Sequence, residues 1–271
     1  RHTPERAEVL PLERSVVAAG ATLEIVELDV TDADAVNALI CRLDGRDHRL
    51  AGIFHWAGQT QDQLAQEMTL GDLNAVIQPK ALGARHLHAA SQNCRLDHFV
   101  MASSLSAVVG NQRQANYAAA NAYLDGLAWK RHARELPALS VNFGAVSGTG
   151  MAADPRVAAH LRAAGLPAMT AATALAGLGA AMVGDTPQVS LAQGINVARW
   201  VRYDPRCAET DKMIGIVGDA SAVAHVQTDI TTRLRSTPAQ GHAKAISAHL
   251  TTCVANMMNC PPERLGPDRA L

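Results

Sequence analysis

No excess of charge of either sign marks this chain. Its 24 Lys and Arg stand against 25 Asp and Glu, for a formal net charge of −1. That balance argues against electrostatic nucleic-acid binding, which needs a basic patch or stripe. Long apolar runs are missing as well. The longest candidates, such as 166–183, are interrupted by Pro167, Thr170, Thr173 and several Gly, so no membrane span is expected. No charged-then-apolar leader opens the sequence, and no secretion is read from it. The five cysteines (Cys41, Cys94, Cys207, Cys253 and Cys260) are odd in number and scattered. No pair has metal-ligand or disulfide-framework spacing, so they read as reduced thiols packed as small apolar groups, as in a cytoplasmic protein. What is abundant is apolar: 48% of 271 residues, enough for one sizeable α/β domain plus further material.

The chain is organised around residues 99–142, which read as an apolar strand, a Ser pair, a Gly-bearing loop, a long helix and a second apolar strand. Tyr117 and Asn121 lie four apart among strong helix formers, so both project from one helical face. Ser104 falls at the C-terminal end of the preceding strand, the edge where open parallel sheets bind ligands. A Ser and a Tyr meeting over such an edge suit proton delivery to a carbonyl oxygen, with Tyr as acid and Ser as second hydrogen-bond donor. A phenol with a pKa of about 10 is a reluctant acid–base group at neutral pH, so a nearby cation is needed to favour the phenolate.

The rest of the chain alternates strand and helix signals, the pattern of an α/β fold with a doubly wound parallel sheet. Residues 4–19 predict a helix ending at Gly20, and 22–28 a strand. Asp29-Val30-Thr31-Asp32 follows, then a helix through Leu43 that Thr31 or Asp32 could cap. The strand over 50–55 runs into Trp56-Ala57-Gly58, small enough at its end for a ligand to approach the backbone, or simply a tight turn. A helix over 72–90 carries Lys80, by itself an ordinary surface residue, and Pro79 predicts a distortion in it. Beyond Asn142 the expectations are a flexible loop at 144–150, an amphipathic helix at 154–164, an Ala-rich helix at 170–183 and a strand at 188–196. Residues 205–238 lose periodicity and read as a linker, and 241–258 recover a helical period.

The spacing Ser-x12-Tyr-x3-Asn resembles the extended short-chain dehydrogenase/reductase superfamily. Its particular form resembles the ketoreductase domains of modular polyketide synthases. Ordinary members carry Lys four residues after the Tyr, whereas here that position is Asn121 and the Lys stands upstream as Lys80. FHWAG (54–58) resembles that group's FHAAG, SVNFGAVSGTGM (140–151) its SVNWG…GM, and INVARW (195–200) the strand that closes its sheet. Together these span about residues 20 to 201.

The resemblance implies a Rossmann-like fold and NADPH-dependent reduction of a β-keto group on an acyl chain tethered to a carrier protein, with other synthase domains in cis. Lys80, Ser104, Tyr117 and Asn121 become the catalytic set. Asp29, Val30, His55, Ala57, Gly58, Lys80 and Tyr117 become cofactor-binding, with Asp29 at the adenine. Asp62 and Asn116 lie on the substrate side: Asp62 keeps the last Asp of the group's LDD motif and Asn116 precedes Tyr117, which together imply a D-configured alcohol. A plain helix cap near Leu64 is the alternative for Asp62.

Residues 241–271 resemble the first helix and following loop of an acyl-carrier domain, without the Ser that would bear phosphopantetheine. No GxGxxG or GGxGGLG occurs, so the sequence reads as beginning just after the second strand of a nucleotide-binding half. The expected division is a ketoreductase over 1–202, a linker over 203–240 and the start of a carrier domain over 241–271. A non-reducing structural remnant and a free-standing short-chain reductase are the alternative functions.

Overall fold

The computed structural model describes residues 6–45, 49–148, 155–203, 234–235 and 237–258. Helix α1 spans Arg6–Ala18 and α2 spans Ala33–Asp44. The cap of α2 is Asp32, whose carboxylate accepts from the backbone of Asp34 and Ala35. Between them lies the first departure from expectation. Residues 21–29 form no strand, and Ile25 and Val26 are exposed. The apolar alternation of 22–28 is real, but a strand exists only where its N–H and C=O groups pair across a ladder, and this segment makes no ladder with its neighbour.

Among the described residues four parallel strands follow in sequential order: β1 (Gly52–His55), β2 (His98–Ser104), β3 (Leu139–Phe143) and β4 (Gln188–Leu191). Strand alternation sends Ile53, Phe99 and Met101 to one face and Val100, Leu139 and Val141 to the other. The first face is buried under α2, α4 (Gly83–Ala90) and α6 (Ala115–His132) through Val36, Ile40, Leu87, Leu124 and Leu127. The second is covered by α8 (Ala171–Val183) through Leu178.

The helix expected over 72–90 is three pieces. Helix α3 (Leu70–Ile77) opens with a capping box between Thr69 and Asp72, and a π turn at Gln78–Leu82 separates it from α4. Pro79 sits in the first turn of that π segment, so the predicted distortion is where the proline puts it.

Short helix α5 (Ser106–Val109) precedes α6, and α7 (Pro155–Ala163) follows β3. The final strand is shorter than expected. INVARW contributes no strand, and Val197–Tyr203 is helix α9 instead. Asn196 Oδ1 accepts from Arg199 N at 2.9 Å, a local cap that favours the helix. The α9 start packs against Gly165, whose φ is +85° and where a Cβ would stand 2.7 Å from Asn196 O. Helix α10 (His242–Met258) forms as expected. Most of the segment read as a linker, and residues 259–271 of the carrier-like stretch, lie outside the described residues. Among the described residues no helix is long and apolar enough to cross a membrane.

Candidate active site

The C-terminal ends of β1 and β2 and the first turns of α6 converge on Lys80. Burial of this lysine is unusual for its type: it is 5% exposed. Its ammonium donates to Ala102 O on β2 at 2.8 Å and lies 5.7 Å from the centre of the Tyr117 ring. Desolvation pulls its pKa from 10.5 to about 8, against the opposing charge of Asp125. The π turn aims it. His55 Nε2 donates to Lys80 O at 2.8 Å, which fixes the ring's tautomer because a carbonyl can only accept. Burial, then the Lys80 charge, hold His55 below the ordinary histidine range, the bond to Lys80 O opposing them.

Gly58 closes over the lysine from β1. A Cβ there would approach Lys80 Cε to 2.8 Å, so glycine is the residue that lets the ammonium pass. Ala57 beside it is partly buried.

Tyr117 and Asn121 share a face of α6 as expected. Asn121 is fully buried, and its Nδ2 donates to Tyr117 O at 2.8 Å. Its Oδ1 is a buried acceptor with no protein partner among the described residues, the signature of a group kept for a water or ligand. Ser104 Oγ accepts from both Ser106 N (3.2 Å) and Ser106 Oγ (2.9 Å). Two donors into its oxygen leave its own hydrogen to be given elsewhere.

The loop after β1 is clamped to the start of α6. Asp62 accepts from Gln114 Nε2 at 3.0 and 3.1 Å, and Asn116 Nδ2 donates to Gln61 O at 2.8 Å. Asp62 therefore does not cap a helix near Leu64. These bonds hold the Gln61–Asp62 segment against the first turn of α6. Asp29 lies apart from this cluster: its Oδ1 accepts from Thr31 N (3.0 Å) and Thr31 Oγ1 (2.8 Å) in a turn, next to Val30. Val30 packs on α4 at Gly83, where a Cβ would meet Val30 Cγ2 at 2.8 Å.

A family model described as KR domain matches residues 1–148. The chain belongs to the KR domain family. Polyketide synthase GfsA of Streptomyces halstedii is 33% identical to this KR chain over all of its length, which is 4% of that protein. Mycoketide-CoA synthase of Mycobacterium tuberculosis is 32% identical, again over the whole chain and 7% of that protein. Among solved structures, one of A-type ketoreductases from a modular polyketide synthase is 36% identical with a TM-score of 0.68. It aligns with 73% of the KR chain and 41% of its own. A structure of an A1-type ketoreductase, 34% identical, has the same TM-score over 72% of the KR chain and 41% of its own. The chain thus spans a small part of the curated proteins it matches.

Sequence reasoning missed a buried polar network behind the Lys80–Tyr117 pair. Asp125, eight residues after Tyr117, accepts from Ser140 Oγ at 2.6 Å and Asn142 Nδ2 at 2.8 Å. Two signals could have found it: Tyr117, Asn121 and Asp125 repeat at four-residue intervals on one helix face, and Ser140 and Asn142 alternate in an otherwise apolar strand.

Proposed function

We propose that this KR domain reduces the β-keto group of an acyl chain tethered to a carrier protein, giving a D-configured β-hydroxyacyl thioester. The observation that carries this reading is the buried Lys80 ammonium held beside the Tyr117 ring at the C-terminal edge of the sheet. The residues there fit a nicotinamide cofactor. Small residues Ala57 and Gly58 leave the backbone approachable next to Lys80, and the orphaned Asn121 Oδ1 offers a buried acceptor. Ala57, Gly58, His55, Lys80 and Tyr117 would line the nicotinamide and ribose, and Asp29 with Val30 the adenine end. NADPH, when bound, supplies the hydride.

The chain's own residues do the rest. Ser104 donates its free hydrogen to the ketone oxygen and orients it. Tyr117 gives that oxygen its proton, and the Lys80 ammonium stabilises the negative charge left on the phenol oxygen. Asn121 holds Tyr117's turn of helix through its bond to Tyr117 O and offers Oδ1 to a water of the proton relay. Asp62, clamped by Gln114, and Asn116 border the side from which a pantetheine arm would present one carbonyl face. The same reading makes 1–202 the ketoreductase unit, 203–240 a linker and 241–271 the start of a carrier domain, with α10 as its first helix.

The test uses the intact protein with NADPH and a diketide thioester, following cofactor oxidation and resolving the alcohol by chiral chromatography. Tyr117→Phe removes one hydroxyl and leaves a ring of equal size, so the rate should fall by about 10²–10⁴ while the thermal midpoint holds. Reduction within a few-fold of wild type sinks the assignment. A predominantly L-configured product leaves ketoreduction standing but removes the steering role of Asp62 and Asn116.

A further inference from the structure

Behind the Lys80–Tyr117 pair, α6 is sewn to the sheet by side chains that the reaction itself does not use. Asp125 is 8% exposed, and its carboxylate accepts only from neutral donors among the described residues, Ser140 Oγ and Asn142 Nδ2. Asn142 Nδ2 also reaches Ser103 Oγ at 2.9 Å, and Ser103 Oγ in turn donates to Asn121 O at 3.2 Å. The path leaves α6 at Asp125, crosses β3 and β2, and returns to α6 one helical turn earlier, at the residue bonded to Tyr117 O. Ser103, Ser140 and Asn142 are 4% exposed or less. A buried network of bonded side chains favours one arrangement of the elements it joins.

The second observation concerns charge. Asp125 is a buried carboxylate with no cation bonded to it, and Lys80 is a buried ammonium with no carboxylate bonded to it; neither belongs to an ion pair among the described residues. Isolated buried charges are costly, and in a poorly screened interior two opposite ones stabilise each other across several ångströms. His55 on β1, Ala102 O on β2 and the Tyr117 ring on α6 contact Lys80, and Asp125, eight residues on from Tyr117 in α6, carries the charge that opposes its desolvation. Of these, Asp125 alone is a carboxylate.

We propose that Asp125 is a positioning residue of the KR site, serving both as the remote counter-charge of Lys80 and as the anchor that locks the Tyr117 turn of α6 onto β2 and β3. It touches no reacting atom. The proposal rests on the ketoreductase reading for its kinetic consequence; for its effect on Lys80 it rests on the burial of both charges, on the bonded path from Asp125 to the Tyr117 turn, and on the Asp125 charge that opposes Lys80 desolvation. Removing the carboxylate withdraws the one charge among the described residues that favours the Lys80 ammonium against desolvation, so the lysine loses its proton at lower pH.

Two neutral variants test this in the intact protein. Asp125→Asn is isosteric, and Asp125→Ser is small enough to admit a water that bonds Asn142. With ¹³C-labelled lysine, Lys80 is assigned by the resonance that Lys80→Met removes, and its titration is followed by NMR. It should titrate near 8 in the wild type and about one pH unit lower in either neutral variant. In the reductase assay the alkaline limb of kcat should move down with it, a roughly fivefold loss at pH 8 and almost none at pH 6. Asp125→Glu should restore the position of the limb. Ser140→Ala, which keeps the charge, should not move it.

A Lys80 titration unchanged in the neutral variants overturns the proposal. So does a failure of both to fold, which would make Asp125 structural only. A shifted titration in a protein that reduces no ketone would instead overturn the ketoreductase reading and leave the electrostatic role intact.

Discussion

Replacing Lys80 by methionine should separate what the lysine costs the fold from what it does for the site. Methionine is unbranched and of similar length, so it fills the same channel beneath Gly58. The structure supplies two opposing magnitudes. A pKa lowered from 10.5 to about 8 in a side chain 5% exposed corresponds to roughly 3 kcal/mol of destabilisation at neutral pH, relieved on substitution. Against it stands the bond to Ala102 O, whose loss leaves a buried carbonyl unpaired at about 1–3 kcal/mol. At pH 7 these nearly cancel, and the stability of Lys80→Met should lie within about 2 kcal/mol of wild type.

The pH dependence does not cancel. Lys80's folded pKa lies below its unfolded value, so the unfolded chain binds the proton more tightly, and stability rises with pH between about 8 and 10.5. Integrated from pH 7 to pH 10, wild type should gain about 2.5 kcal/mol relative to the variant. Urea unfolding of both proteins at the two pH values measures this directly. Parallel pH profiles would refute the reasoning, because they would mean Lys80 is not a desolvated cation. In the reductase assay the same variant should be inactive at every pH.

Two further outcomes follow from buried features away from Lys80 and Tyr117. Gly165→Ala should destabilise the protein by about 1–3 kcal/mol, since its φ of +85° and a Cβ 2.7 Å from Asn196 O leave no room; an unchanged thermal midpoint would mean that the α9 start is not fixed there. Acid should weaken the fold before carboxylates titrate. Burial and then the Arg131 charge depress the pKa of His88, whose Nδ1 accepts from Arg131, and burial also depresses that of His55. Both contribute stability above the unfolded value near 6.5 that is lost as pH falls, at up to about 1.4 kcal/mol per pH unit for each. Unfolding midpoints in urea equal at pH 7.5 and pH 5.5 would contradict this.

Much of this arrangement was legible because helical and strand periods report which residues share a face. The four-residue step from Tyr117 to Asn121 placed both on one side of α6, and Pro79 marked the distortion that carries Lys80. Two strand readings failed for different reasons. The alternation in 22–28 records side-chain preference, but ladder pairing is a property of the neighbouring chain, which no local pattern contains. INVARW with the Val201 that follows it fits a helix as well as a strand, since Val197 and Val201 are four apart, and the Asn196 cap decides between them. The Asp125 network stayed hidden because it joins residues of three elements, and each of its members taken singly is an ordinary polar residue. Asp32, one of the two caps the sequence offered for α2, is the one used, while Asp29 engages Thr31 in the turn before it.

The π turn at Gln78–Leu82 has a bearing on any transplant of this region. Gly83 N–H reaches back five residues to Gln78 O, so the coil holds one residue more than an α-helix of the same rise. That residue acts as a phase offset of about 100° between the helix before it and the helix after it. Deleting one position anywhere in the turn would heal the coil into regular geometry. It would also rotate α4, with its core leucine and its seat for Val30, out of step with α3, whose Asp72 carbonyl bonds Asn116. A chimera that exchanges this helix for a regular one must therefore carry the extra residue with it, or surrender either the aim of Lys80 or the packing of α4.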